Sequence, residues 1–474
     1  MPMASVCYFI RRLSQFHEHT PLVSWVQTQS MTPWFTPIRR RVILLIATLA
    51  FAIRFIDHTL QFGELWTDHD GLNLSAVLPL LATFFSILIF LALLFLIISH
   101  FEKLPTIIQR HPQTSLHGIF WLVIALIWTL PSSFHMWRSG LLIAGMMIPF
   151  LIWRCGYMVT QHRRNTIAKT KFRDHLLYVL PAWNGTHMPY GKGLDYLGQV
   201  EAKTNEAYAK SLLSGIKLLM LSGIWQIMLQ IMNGAIYGDP NSHFLQMFPN
   251  LTLNIPRLAD LLSQEVITSH TVAWLSLYLE LISVTLLLAI YGHLWIGILR
   301  IAGFHVFRNT YKPLLAETIL DFWNRFHYYF KELLVEFFFF PAYLRYSWMS
   351  PKIRTFTAVF MAVFVGNMYY HLFTEMKALL AMDGTVLWNY LGPRIIYCLL
   401  LVGGIYLSMA NQQQQRGKVL QKETRPLVRK FLQWRRIAVV WTFYSMIHIW
   451  NVSSQNTELL DRANFCLFLF GFNA

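Results

Sequence analysis

Charge is scarce in this sequence. Asp, Glu, Lys and Arg make up only 13% of its 474 residues, against roughly 25% in an ordinary soluble chain. A soluble globule of this length would have too few charges to cover its surface. Cysteine is scarce too: Cys7, Cys155, Cys398 and Cys466 are the only four. They form no CxxC pair and no zinc-ligand spacing, so neither a disulfide framework nor a metal site is expected. Residues 1–38 lack an unbroken apolar core followed by a small-residue cleavage site, so no signal peptide is expected. No solenoid repeat is visible. The longest polar stretch, 160–210, is too short and too basic to hold a core of its own.

What is abundant is hydrocarbon. Hydrophobic residues reach 55%, and the 17 Trp, 20 Tyr and 36 Phe make the chain 15% aromatic. A helix needs about 20 consecutive apolar residues to cross a bilayer. Runs of that kind lie at 42–60, 76–99, 117–135, 140–159, 211–236, 271–298, 353–374, 387–409 and 437–452. Residues 174–184 are too short to span, and 463–472 reads as half-inserted or interfacial. With these two borderline segments the expectation is about nine to eleven crossings. The predicted fold class is all-α and polytopic, with amphipathic or re-entrant helices around a central cavity. It divides into a basic amino-terminal segment (1–41), amino-terminal spans (42–159), a core (160–375) and carboxy-terminal spans (376–474).

The net charge of +16 sits between the hydrophobic runs, which points to membrane orientation and away from a nucleic-acid partner. Segments 161–210 and 411–436 carry eight Lys/Arg each, whereas 61–75 carries none and 238–270 only Arg257. Basic loops stay on the cytoplasmic side. An amino terminus inside the cell satisfies all four segments. The short Gln412–Gln415 tract reads as a solvated connector.

Residues 300–375 differ from the rest. Their first part is too polar for a span and too apolar for a loop. Drawn as one helix, Leu320, Trp323, His327, Phe330 and Leu334 form a stripe. Asp321, Asn324, Arg325, Tyr328, Lys331 and Glu332 lie on the other side, and Pro341 is expected to interrupt the helix after Phe337 to Phe340. A second histidine, His371, lies near the end of the 353–374 run with Asn367 one turn before it. An ionisable side chain inside a span is costly and marks a functional candidate.

These residues carry a resemblance. In RIAGFHVFRNTYKPLLAETILDFWNRFH, the elements Gly303-Phe304, Asn309, Tyr311, Pro313, Phe322-Trp323, Arg325 and His327 are similar to the Asn-x-x-Pro-Tyr and Phe-Trp-x-Arg-Trp-His pattern of the membrane-bound O-acyltransferase family. That family has a second histidine in a following membrane helix, and His371 comes 44 positions after His327. Upstream, LLYVLPAWNGTHMPYGKGLDYL is similar to the family's Phe-Pro…Gly-Pro-Ile…Arg-Tyr loop. The resemblance covers roughly 174–375. The sequence departs from the pattern at Phe326, at Tyr370-His371-Leu372, at Gly185-Thr186-His187 and at SVTLLLAIYG.

The resemblance implies acyl transfer from a thioester donor, acyl-CoA or an acyl-carrier protein, to a hydroxyl, with no tightly bound cofactor. His371 would be the base, since neutral imidazole accepts a proton near pH 7. His327 would hold or polarise the acyl carbonyl, or orient the acceptor. Asn367 would fix the His371 ring, Asn309 and Trp323 would support the site, and Arg325 with Lys331 would meet an anionic donor. The pattern is closest to the bacterial branch that carries out D-alanyl transfer and alginate O-acetylation. That branch implies a bacterial inner membrane, an envelope polysaccharide or glycolipid as acceptor, and an exported polymer or periplasmic protein as partner. Three other readings compete. One is an inactive relative serving as scaffold or conduit, motivated by the departures. Another is a haem protein using His293, His371 or His448, though no regular pair spacing supports it. The third, a transporter, would need an inverted repeat that is not seen.

Overall fold

The computed structural model describes residues 15–29, 31–44, 99–131, 194–263, 268–374, 384–416, 426–452 and 457–472, with a few single positions between them. The expected spans at 76–99 and 140–159, most of 42–60, the segment 174–184 and the Gly185–His187 loop lie outside those residues. The described chain is helical. It contains no strand, and a single β-bridge pairs Glu201 with Phe304.

Its principal helices are α1 (Thr20–Thr28), α2 (Pro112–Thr129), α3 (Leu194–Val200), α4 (Asn205–Ile231), α5 (His270–Ile301), α6 (Ile319–Phe326), α7 (Tyr328–Leu334), α8 (Phe340–Arg345), α9 (Pro351–Phe360), α10 (Asn367–Thr374), α11 (Gly384–Arg416), α12 (Pro426–His448) and α13 (Leu459–Leu469). Three π-helical turns interrupt them, at Met232–Ile236, Val335–Phe339 and Met361–Gly366. Among the described residues, three helical stretches are long and apolar enough to cross a membrane: Asn205–Ile236, His270–Ile301 and Gly384–Gln414, of 32, 32 and 31 residues. At 1.5 Å per residue each exceeds the roughly 30 Å hydrocarbon layer. The expected span at 117–135 belongs to the 18-residue α2, whose apolar part is His117–Thr129.

The chain forms two compact units, residues 1–219 with 294–307 and residues 220–293 with 308–474. In the first, α1 packs Val23 and Val26 on Ala209 and Leu213 of α4. Small residues let α4 and α5 approach closely: a Cβ on Gly215 would lie 2.7 Å from the Gly297 carbonyl oxygen. Ser211 Oγ donates to the Arg300 carbonyl at 2.8 Å. Such contacts replace the hydrophobic drive that is missing between helices in lipid. Arg300 then fastens the chain after α5, donating to the Val306 carbonyl and to Ser214 Oγ. Gly303 has φ +91°, and a Cβ there would meet the Arg40 guanidinium at 1.8 Å. Arg40 donates to the Ala202 carbonyl and stacks 4.3 Å over the Tyr208 ring. Burial pushes its guanidinium below the ordinary pKa.

In the second unit, Ser222 Oγ of α4 donates to the Ile290 carbonyl of α5 at 2.9 Å. α13 packs Phe465 and Leu469 against Leu258, Leu261, Leu262 and the first turns of α5. Its 11 residues rise only about 16 Å, too little to cross. α6 is held by its neighbours. Thr318 caps it, accepting the Asp321 N–H at 3.0 Å. Tyr444 of α12 donates to the Ile319 carbonyl at 2.8 Å and stacks on Phe322 with centroids 3.8 Å apart.

Three sequence expectations are corrected. The stripe from Leu320 to Leu334 is not one helix: it breaks at His327 into α6 and α7. Pro341 does not break the helix at its own position. It stands in the first turn of α8, directly after the π turn Val335–Phe339. A π turn bonds each N–H to the carbonyl five residues back, so the widened turn absorbs the proline ring and its missing donor. Finally, the Gln412–Gln415 tract continues α11, as glutamine's good helix propensity allows, and Gln412 donates to Thr318 Oγ1 at 3.4 Å.

Candidate functional site

All six residues singled out from the sequence, Asn309, Trp323, Arg325, His327, Asn367 and His371, belong to the second unit. His327 lies between α6 and α7 with φ −141° and ψ 70°, outside helical geometry. A helix break leaves carbonyls on one side and N–H groups on the other without partners. Here an extended strip, Asn309-Thr310-Tyr311, supplies them. Tyr311 N–H donates to the Arg325 carbonyl at 2.8 Å. Thr310 Oγ1 donates to the Phe326 carbonyl at 3.0 Å. The Asn309 carbonyl accepts the Tyr328 N–H at 2.9 Å, and its side-chain oxygen accepts the Tyr329 N–H at 3.1 Å. Asn309 is 1% exposed, so losing these bonds would strand polar groups away from water. The strip turns sharply next: Lys312 has φ 49°, a left-handed conformation uncommon outside glycine, just before Pro313.

His371 sits on α10, directly after the π turn Met361–Gly366. That turn packs on its counterpart after α7. A Cβ on Gly366 would fall 2.7 Å from Leu334 Cδ2 and 2.8 Å from Phe338 Cδ2. Each π turn adds a residue relative to α-helical spacing and so rotates the helix beyond it. This rotation sets where Tyr370 and His371 face. A chain of rings joins the two histidines. His327 meets Phe330 edge-on at 5.4 Å between centroids, Phe330 meets Tyr370 at 4.7 Å, and Tyr370 adjoins His371 at 5.9 Å. Both histidines are half-buried, and the Nδ1 atom of each ring is sealed from solvent. Trp323 is buried and packs against Phe330 at 6.3 Å. Asn367, 3% exposed, begins α10.

The two cations expected to meet a donor already have carboxylate partners. Arg325 Nε bonds Asp321 at 2.8 Å, and Lys331 pairs with Glu332 while lying 4.7 Å over the Tyr328 ring. Neither is a spare positive charge. His293, one of the haem candidates, has its Nδ1 2.6 Å from the Ala289 carbonyl one turn earlier. No cluster of His, Cys, Asp or Glu suited to a metal occurs among the described residues.

Residues outside the sequence motifs complete the surroundings. Tyr390 of α11 meets His371 edge-on at 6.3 Å, and Arg394 lies 3.5 Å over the Tyr390 ring while donating to the Tyr390 carbonyl. A buried arginine inside an apolar run was the available signal. No family model and no curated protein sequence matches the chain.

Proposed function

We propose that the chain is a membrane-bound O-acyltransferase, moving an acyl group from a thioester, acyl-CoA or an acyl-carrier protein, to a hydroxyl of an envelope polysaccharide or glycolipid. Residues from two stretches of sequence, converging on His327 and His371 within one unit, are the observation that carries this reading. His371 takes the proton from the acceptor hydroxyl. The oxygen attacks the thioester carbonyl, and the C–S bond breaks as the new C–O bond forms. The leaving thiolate takes up the proton that His371 removed, which returns the imidazole to its neutral form. His327 polarises the acyl carbonyl or orients the acceptor, and Asn367 positions the His371 ring. General acid–base assistance of this kind is worth about 10²–10⁴-fold in rate.

The surrounding chain fits a polytopic protein of nine to eleven helices, by the apolar runs of its sequence. The charge pattern of the loops fits an amino terminus on the cytoplasmic side of a bacterial inner membrane. A donor would then enter from the cytoplasm and an exported polymer, with or without a periplasmic partner protein, from outside. The deciding experiment compares envelope ester content, by mass spectrometry, in a deletion strain carrying wild type, His371→Ala or empty vector. Loss of one ester in the last two supports transfer, and its mass names the group. Unchanged ester in the deletion strain ends the proposal. The departures at Phe326 and Leu372 favour one rival, an inactive scaffold. Ester lost on deletion but kept by His371→Ala would select it.

A further inference from the structure

Arg325 and Lys331 are matched by carboxylates, but two other cations near His327 are not. Arg308 and Lys312 lie either side of Tyr311 in sequence, and each is 5.5 Å from the centroid of its ring. Arg308 is half-buried and Lys312 is exposed. Among the described residues neither joins an ion pair, and the Arg308 guanidinium donates to no carbonyl. Burial lowers the pKa of Arg308, and among the described residues Tyr311 alone opposes it. A ring face attracts a cation but brings no countercharge. Glu317, five positions beyond Lys312, accepts Arg436 and Gln433 instead.

The backbone holds this cluster in place. Tyr311 N–H is tied to the Arg325 carbonyl, and the Leu314 carbonyl accepts Trp441 Nε1 of α12 at 2.8 Å. Between these two anchors Lys312 keeps φ 49° and ψ 50°. A left-handed backbone strains any residue with a Cβ and persists only where its surroundings impose it. Here it turns the chain back, so that Lys312 Nζ comes over the ring of the residue before it. Tyr311 is 43% exposed, which leaves the shared ring and its two cations within reach of a ligand.

We propose that Arg308 and Lys312, set around Tyr311, bind a phosphate monoester, carried by a soluble thioester donor or by a lipid headgroup. The charge decides for phosphate: a monoester carries about −1.5 to −2 at pH 7 and neutralises the pair, whereas a carboxylate leaves one charge over. The geometry suits it too, since the arginine fork takes two oxygens while the lysine acts as a point charge on a third. The strip that carries both cations also bonds the chain on either side of His327, so the ligand docks beside the proposed reaction centre. The soluble source rests on the acyl-transfer reading; the lipid source does not.

The test uses the full-length protein in nanodiscs. One arm titrates coenzyme A, which carries a phosphate monoester on its ribose, against dephospho-coenzyme A, which lacks it. The other compares retention of phosphatidic acid with that of phosphatidylglycerol, a diester, by native mass spectrometry. Preference for the monoester in the first arm identifies a soluble ligand, and in the second a headgroup. Arg308→Gln and Lys312→Gln each weaken the preferred ligand by about tenfold or more, as loss of a charge-assisted bond requires. Lys352→Gln, at an exposed lysine elsewhere in the same unit, leaves binding unchanged. Lys312 is exposed, so Lys312→Gln keeps the melting temperature, and Lys312→Arg keeps the binding. No preference in either arm, or equal binding by wild type, Arg308→Gln and Lys312→Gln, overturns the site. Envelope ester that is unchanged on deletion removes only the acyl-transfer reading, and ester loss without monoester binding removes only the site.

Discussion

The side-chain oxygen of Asn309 accepts the N–H of Tyr329 at 3.1 Å, across 20 positions of sequence. With the Asn309 carbonyl on the Tyr328 N–H, one residue caps the first turn of α7 from outside the helix. His327 owes its non-helical backbone to this arrangement, because the break would otherwise leave buried N–H groups unpaired. Asn309→Ala is expected to cost about 1–3 kcal/mol, read as a lowered melting temperature in detergent, and Asn309→Asp less, since it keeps the acceptor.

His371→Ala is expected to lower kcat for acyl transfer by about 10²–10⁴-fold. His327→Ala is expected to raise KM for donor or acceptor as well. Steady-state kinetics with a labelled acyl thioester separates the two roles, and equal loss in kcat alone from both variants would contradict the assignment.

Gly366 has no room to grow. Gly366→Val must push Leu334 or Phe338 aside, and Leu334 is itself 1% exposed. Overpacking of this kind costs about 1–3 kcal/mol. Thermal unfolding should show the loss, and Gly366→Ala should show a smaller one.

Two tethers of α6 differ in worth. Glu317 accepts Arg436 and Gln433 on an exposed surface, where an ion pair contributes about 0–1 kcal/mol. Tyr444 is buried and donates to the Ile319 carbonyl, a bond worth about 0.5–1.5 kcal/mol and costlier when its acceptor is left unpaired. Tyr444→Phe should therefore destabilise more than Glu317→Gln. Only the Glu317→Gln effect should shrink further as salt is raised.

Much of the helical content was legible because apolar runs leave few alternatives. The run at 211–236 became part of α4 with its π turn, and those at 271–298 and 387–409 lie within α5 and α11. Of the residues singled out from the sequence, Asn309, Trp323 and His327 lie near one another, around the break between α6 and α7. The break at His327 was not legible. The 3.6-residue period runs through it unchanged, and the strip that stabilises the break lies 16 to 20 positions away. The π turns were hidden for a related reason, since they change register without changing composition. Arg325 and Lys331 looked available because periodicity shows a face, whereas Asp321 and Glu332 take up their charge through local geometry.

The paired π turns make the neighbourhood of His371 sensitive to chain length more than to chemistry. Deleting one residue from 361–366 would let an ordinary α-helix form there, so the protein would keep its helix. Everything beyond it would swing by about 100° around the axis, carrying Tyr370 away from Phe330 and His371 away from Tyr390. Substitutions across this stretch can be absorbed one at a time. A single-codon deletion would leave a well-folded protein whose imidazole faces the wrong way.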